Sequence, residues 1–162
     1  MRRRQEPDPD SAQAAWTAAL RMLAGRELPA AGVRQRLQRR GFSRTAIDQA
    51  VDRLLSSRTI DDARVARALA RTRAQVKRQG RARVLRELTA IGIAPDIAEE
   101  AVSDVFGEVD EGALLDRALD RRLRGSVSLS DPAARRRVMA ALVRQGFPAD
   151  AVMRAVRARA RG

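Results

Sequence analysis

The chain has 162 residues and a formal net charge of +13, which favours a polyanion or an acidic protein surface as its partner. It contains no cysteine and no histidine, which excludes disulfides, thiolate metal sites, cysteine nucleophiles and histidine acid–base catalysis. Aromatic residues make up 2% of the sequence, too few for base-stacking platforms if they fill cores. The composition suits a cytoplasmic protein, and no apolar run predicts a signal peptide or a membrane span.

Apolar residues at helical spacing, together with capping residues, predict nine helices and no strand. Residues 1–10, with two prolines and mixed charge, are predicted to be a disordered arm. The first helix is expected to bury Trp16, Leu20 and Leu23. Predicted helices lie at 11–24, 29–41, 61–80, 111–124 and 131–146. The third helix begins at 43, the fifth ends at 92, the sixth begins at 95 and the ninth begins at 148. A loop is predicted at 125–130, and the basic C-terminal tail is predicted to fray.

An internal repeat divides the chain into three units. Segments starting at Val33, Val84 and Val138 each have leucine four residues later and glycine eight residues later. The residue after that glycine is predicted to fill the core between helices, because glycine permits a sharp reversal. These core residues are Phe42, Ile93 and Phe147. The spacings of 51 and 54 residues leave room for three helices per unit, so we expect an elongated, curved array of repeats over 11–57, 58–107 and 108–162.

The segment 61–93 concentrates positive charge. Nine cations and no acid lie between Asp62 and Glu87. Repulsion within such a block is not relieved by sequence neighbours, so a binding role is favoured over a merely solvated surface. One helix face is predicted to pack through Val65, Leu69, Thr72 and Val76. A second face is predicted to present the arginines at positions 64, 67, 71 and 78.

Asp61 and Asp62 form the carboxylate pair beside this basic block. A catalytic or metal-binding role would need further acids or histidines nearby, and none is present, so helix capping explains the pair more simply. No phosphate-loop or dinucleotide glycine pattern occurs either. We therefore expect no enzyme, no metal and no cofactor. Sequence-specific DNA reading by a helix-turn-helix is also disfavoured in the first two repeats, where the candidate reading helices carry acids such as Asp48 and Glu99.

Four stretches carry a family resemblance, namely TIDDARVARALARTR at 59–73, GRARVLRELTAIGI at 80–93, RLQRRGF at 36–42 and VRQGF at 143–147. They resemble the RecX family of regulators of the RecA recombinase. The resemblance covers about residues 14–158. It implies three tandem three-helix repeats that bind in the helical groove of the RecA–DNA filament. There the family limits filament growth and lowers the ATPase, strand-exchange and coprotease activities of RecA, and so acts in DNA repair, the SOS response and homologous recombination.

The predicted partner is thus RecA on DNA, bound by a monomer with weak direct DNA contact through the basic helix. The residues predicted to contact filament or DNA are Arg64, Arg67, Arg71, Arg78, Arg81, Arg83 and Arg86. An alternative is a basic helical protein that binds nucleic acid by itself through phosphate neutralisation. A third is a helical scaffold with an arginine-rich soluble surface.

Overall fold

The computed structural model describes residues 8–124 and 128–161, and within these ranges the chain is entirely α-helical. The prediction of an all-α fold built from three-helix repeats is confirmed. The elongated, curved form stays a prediction. The helices are α1 (Ala12–Leu23), α2 (Ala30–Arg39), α3 (Arg44–Ser56), α4 (Asp62–Gln75), α5 (Arg81–Ala90), α6 (Pro95–Gly107), α7 (Glu111–Leu123), α8 (Pro132–Arg144) and α9 (Ala149–Arg159).

The chain divides into two units. Unit 1 comprises Met1–Val65 and Ile91–Ala94, and unit 2 comprises Ala66–Ala90 and Pro95–Gly162. In unit 1, α1 and α2 pack on α3. In unit 2, α5 packs on α6, and α7, α8 and α9 pack on one another.

Most of the predicted arm and part of the predicted loop lie outside the described residues, at 1–7 and 125–127. Residues 8–10, also assigned to the arm, form a turn. In this turn the Asp8 carbonyl accepts a hydrogen bond from Ser11 N at 3.1 Å, and the Pro9 carbonyl accepts one from Ser43 N at 2.8 Å. The backbone just before α1 is therefore attached to the start of α3.

Side-chain caps set several helix starts. Ser11 Oγ accepts from Ala14 N at 3.1 Å at the start of α1, and Ser43 Oγ accepts from Ala46 N at 3.4 Å at the start of α3. Asp131 accepts from two backbone N–H groups at the start of α8, at 2.9 and 3.1 Å, and these bonds hold the pKa of its carboxyl below the usual value. These caps lie where the sequence pattern predicts the helices to begin.

The three repeat glycines adopt the same unusual backbone conformation. Gly41, Gly92 and Gly146 have φ values of 84°, 88° and 100°, a region that favours glycine. After two of these glycines, the next residue donates its N–H back to the preceding helix, as Phe42 N does to Leu37 O at 3.3 Å. The side chains that follow the glycines are buried: Phe42, Ile93 and Phe147 are 5%, 2% and 4% exposed.

The face that α1 buries differs from the prediction. Its fully buried residues are Ala15 and Ala19, while Trp16, Leu20 and Leu23 are half-buried against the edge of the unit 1 core. Small side chains at a contact let helix axes approach closely, and larger ones then lie to the side. The ring of Trp16 is covered by the guanidinium of an α3 arginine, Arg53, 4.0 Å from the ring centroid.

The packing face of α4 also differs. Val65 is buried as expected, but Leu69 is only half-buried, and Thr72 and Val76 are exposed. The helix ends at Gln75 rather than at Gly80. An alanine stripe with the i, i+4 spacing of one helix face is buried instead. It consists of Ala66, Ala70 and Ala74, each 0% exposed.

Candidate anion-binding site

The arginines predicted to form a binding face on α4 lie close to carboxylates from elsewhere in the chain. In unit 1, Arg64 Nε lies 2.7 Å from Glu27 Oε1. In unit 2, Arg67 Nη1 lies 3.6 Å from Asp104 Oδ2, and Arg71 Nη2 lies 3.9 Å from Glu108 Oε2. The acids that sequence neighbours do not provide are thus supplied by the tertiary structure. Because each of these arginines is paired with a carboxylate of this chain, only part of its positive charge is available to a binding partner.

A second group of arginines surrounds Glu87 on α5. Arg73 Nε and Arg83 Nε each lie 2.9 Å from its carboxylate, and Gln79 Nε2 donates to it at 2.9 Å. Burial raises the pKa of Glu87, but the hydrogen bonds and the two positive charges outweigh it and leave the pKa below the ordinary value. Arg83, another predicted contact residue, is therefore also paired.

The remaining predicted contact residues lie around the start of α5. Arg81 and Arg86 are exposed, and no carboxylate in the described ranges lies within salt-bridge distance of them. Arg78 has a φ of 52°, and its carbonyl accepts a hydrogen bond from the side chain of Gln145. Of these three residues, Arg81 and Arg86 thus present the most accessible positive charge.

The two predicted capping acids serve different helices. Asp61 Oδ1 accepts from Arg64 N at 2.8 Å and caps α4. Asp62 Oδ1 instead accepts from Ala30 N at 2.8 Å, at the first residue of α2. The residue preceding α2 is Pro29, which provides no side-chain cap, so Asp62 satisfies a donor that α2 itself leaves open.

Unit 2 contains a cationic cleft that the sequence analysis did not single out. Its volume is about 930 Å³, and its walls come from the end of α7, one face of α8 and the segment between α4 and α5. No carboxylate of a described residue lines it. Its basic residues, here called the cleft cations, are Lys77, Arg83, Arg121, Arg122, Arg137 and Arg144.

Gln145 and a close backbone contact connect the walls of the cleft, and a second glutamine lines it. Arg122 Nη2 donates to Gln145 Oε1 at 2.9 Å, and Gly80 N donates to the Gln145 carbonyl at 2.9 Å. A Cβ on Gly80 would lie 2.4 Å from the Gly146 carbonyl oxygen, so only glycine fits at this approach. The second glutamine, Gln79, lines the cleft and is 7% exposed, and its Oε1 accepts no hydrogen bond from any described residue.

Positive charge in the cleft is poorly compensated. Within the described residues, only two of the cleft cations lie within 4.0 Å of a carboxylate, namely Arg83 and Arg137. Burial lowers the pKa of Arg122, and the neighbouring charges of Arg144 and Arg121 lower it further. Such an arrangement favours an anion that would relieve the repulsion.

A smaller basic pocket occurs at a related place in unit 1. It has a volume of about 380 Å³, and its cations are Arg26, Arg36, Arg39 and Arg40. In the repeat alignment that starts at Val33 and Val138, Arg39 and Arg144 are at equivalent positions. This equivalence, with the arginine pair at the end of the seventh predicted helix, is the sequence signal that could have indicated the cleft.

The structure contains neither of two other features in its described ranges. No helix there has the length and apolarity needed to cross a membrane. No cluster of three or more acidic, histidine or cysteine side chains there has the geometry to hold a metal ion.

Comparison with known proteins identifies the repeats. Family models described as the first, second and third three-helix domains of RecX match residues 15–54, 61–102 and 110–156. The crystal structure of RecX from Lactobacillus salivarius superposes with a TM-score of 0.76, covering 91% of this chain and 95% of that one, at 18% identity. That likeness supports the fold.

Curated relatives show closer sequence similarity. The regulatory protein RecX of Syntrophotalea carbinolica is 36% identical over 137 residues, covering 82% of this chain and 88% of the relative. The regulatory protein RecX of Stenotrophomonas maltophilia is 34% identical over 139 residues, covering 86% of this chain and 83% of the relative. On the three matched domains and these identities, the chain belongs to the RecX family of regulatory proteins.

Proposed function

We propose that this protein is a non-enzymatic negative modulator of the RecA recombinase. It binds in the groove of the RecA–DNA filament in the cytoplasm and limits filament growth, and thereby reduces ATPase, strand-exchange and coprotease activity. Membership of a family of regulatory proteins supports a regulatory role. The observation that carries the proposal is the cleft of unit 2, in which most of the cations have no acidic partner in the described part of the chain.

The proposal requires an acidic partner, and the RecA filament on DNA is acidic. The DNA presents closely spaced phosphate groups along the filament, and neutralising these groups with arginine releases counterions. The pKa of Arg122 is lowered first by partial burial and then by the charges of Arg144 and Arg121, so these guanidinium groups lie close enough to repel one another and to gain from a shared phosphate.

The paired and unpaired arginines are assigned different weights in this contact. The cleft cations, with Arg81 and Arg86 nearby in sequence, would carry the main electrostatic attraction. Arg64, Arg67 and Arg71 would contribute less, since each must first exchange a carboxylate of this chain for one of the partner. We expect the protein to act as a monomer.

The test is the DNA-dependent ATPase rate of RecA from the same organism. The protein is titrated below one copy per RecA, with DNA in large excess so that competition for free DNA cannot lower the rate. Inhibition at such ratios is expected, because one bound modulator stops further growth of a filament. An unchanged rate, with filament length also unchanged by electron microscopy, contradicts the proposal.

The cleft also favours a second candidate function, a protein that binds nucleic acid by itself. A binder driven by phosphate neutralisation loses roughly a thousandfold or more in affinity between about 50 and 200 mM salt when it makes six or more contacts. A filament binder with protein contacts retains affinity over this range. Salt titrations on bare DNA and on RecA-coated DNA, measured side by side, separate the two functions.

A further inference from the structure

We propose that the cleft between α7 and α8 in unit 2 is a binding site for phosphate groups. Nothing in the family match assigns a role to this cleft. The inference deepens the proposed function and rests on it only for the biological source of the phosphate. That source is either a nucleic-acid strand or a free nucleotide.

Charge is the first observation. Arg121, Arg122 and Arg144 come from two different helices, line the cleft and lie close enough for their charges to interact, without a carboxylate within 4.0 Å in the described ranges. Placing like charges together costs folding free energy unless an anion offsets it. Guanidinium groups suit phosphate because their paired N–H donors match two phosphate oxygens at once.

The second observation is the wall formed by Gln79. Its Nε2 donates to the Glu87 carboxylate, which can only accept, so the orientation of the amide is determined by that bond. The same carboxylate accepts from Arg83 Nε at 2.9 Å, so Gln79 and Arg83 are held together at the wall of the cleft. A cation held in this way loses less side-chain freedom when it binds a phosphate.

The third observation is the volume of the cleft. A volume of about 930 Å³ lies within the range of roughly 300–1,000 Å³ that small-ligand pockets occupy. A nucleoside triphosphate therefore fits, and so does a short stretch of strand. A single inorganic phosphate would engage only part of the cluster. Among free phosphates, the cleft thus favours one that carries several phosphate groups.

The test uses two double variants with the same change in net charge. Arg121→Gln/Arg144→Gln removes two cleft cations, which are exposed and outside the core. Arg135→Gln/Arg136→Gln changes two exposed arginines of α8 that do not line the cleft. Binding of a fluorescently labelled 30-nucleotide single strand is followed by anisotropy over a salt series, in the full-length protein without RecA.

The cleft variant is expected to lose at least roughly tenfold in affinity at about 100 mM salt. The slope of log affinity against log salt should also be shallower by about 1.4, which corresponds to about 0.7 for each lost phosphate contact. The control variant should lose far less and keep the slope of the unmodified protein. Equal losses in both variants would mean that only net charge matters, and would overturn the proposal.

Two further arms identify the source of the phosphate. ATP and inorganic tripolyphosphate are each added as competitor and as ligand in a thermal shift assay, since a ligand of the native state raises the melting temperature. Stabilisation by ATP without strand binding assigns the site to free nucleotides, and strand binding that ATP displaces assigns it to nucleic acid. Tripolyphosphate should compete with ATP, because the cleft cations bind the phosphate groups that both molecules carry. No response to strand, ATP or tripolyphosphate overturns the site.

The experiments distinguish a wrong phosphate site from a wrong proposed function. If strand affinity falls equally in the cleft variant and its control while the unmodified protein inhibits the RecA ATPase, only the phosphate site is wrong. If the cleft binds phosphate but the unmodified protein leaves the ATPase rate unchanged, only the proposed function is wrong.

Discussion

Two arginine-rich regions of unit 2 have similar compositions and different electrostatic states. On α4, Arg67 and Arg71 lie within 4.0 Å of carboxylates from α6 and the turn that follows it. In the α7–α8 cleft, Arg121 and Arg144 have no such partner in the described ranges. The density of arginine along a sequence therefore does not measure the positive charge that is available to a binding partner. Availability depends on where the acids of the other helices lie.

The cause of the difference can be traced to particular positions. Glu100 and Asp104 are four residues apart, so both project from the same face of α6, and both lie near Arg67. The repeats differ in the same way. Glu87, which pairs with Arg73 and Arg83, is equivalent in the repeat alignment to Ala141, which lines the cleft. An alanine at that position leaves the neighbouring arginines unpaired.

The largest expected effect comes from a change that disturbs the cleft and leaves the α4 ion pairs in place. In Gly80→Ala the new Cβ would lie 2.4–2.7 Å from backbone atoms of Gly146 and Phe147, which cannot move aside easily. We expect a loss of about 1–3 kcal/mol in the free energy of unfolding, measured by urea denaturation. Strand affinity should fall as well, since Gly80 N also holds the Gln145 carbonyl.

Gly107→Ala is the matched control for this change. Gly107 is the last residue of α6, and a Cβ there meets nothing within 4 Å. The same chemical change should therefore be neutral or stabilising by up to about 1 kcal/mol, because alanine restricts the unfolded chain. A loss at Gly107 as large as that at Gly80 would show that the close approach to Gly146 is not the cause.

A medium effect is expected from turning the paired region into an unpaired one. Glu87→Gln removes the carboxylate shared by Arg73 and Arg83 and should lower the free energy of unfolding at neutral pH by about 1 kcal/mol. The pKa of Glu87 is below 4.5 in the folded protein, so its contribution is present above about pH 4.5 and is lost as the pH falls through the folded value. The difference between variant and unmodified protein, followed by melting temperature, should shrink as the pH falls below 4.5 and vanish once Glu87 is protonated in the folded protein.

The same variant should bind a nucleic-acid strand more tightly, because Arg83 lines the cleft and would then carry an unshared charge. Glu99→Gln is the control, since Glu99 is exposed on α6 and pairs with no arginine in the described ranges. Equal gains in the two variants would attribute the effect to net charge rather than to the release of Arg83.

The smallest effect is expected from the paired arginines themselves. Arg67→Gln/Arg71→Gln removes exposed pairs at 3.6–4.0 Å, each contributing at most about 1 kcal/mol to stability. Binding to RecA filaments, measured by co-sedimentation, should weaken less than in Arg121→Gln/Arg144→Gln. If it weakens as much or more, the α4 arginines are the primary contact, as their density in the sequence indicates, and the weighting adopted above is wrong.

Much of the fold could be predicted from local signals. Capping serines and aspartates mark helix starts, and the recurring glycine with the apolar residue after it marks each reversal. These features act over a few residues, so sequence spacing is sufficient to find them. The buried faces of α1 and α4 were predicted less well, because both helices pack through alanines, such as Ala19 and Ala70, rather than through their larger apolar residues.

The helical repeats, the positive charge and the resemblance to the RecX family can all be recognised in the sequence. Packing between helices sets which arginines share their charge with a carboxylate and which do not. The reason is that an ion pair depends on distances of a few ångströms between side chains on different helices, as between Arg67 and Asp104. Packing also places Asp62 as the cap of α2 and leaves the buried Oε1 of Gln79 without a partner among the described residues. The candidate site is a product of packing, and local sequence patterns do not encode it.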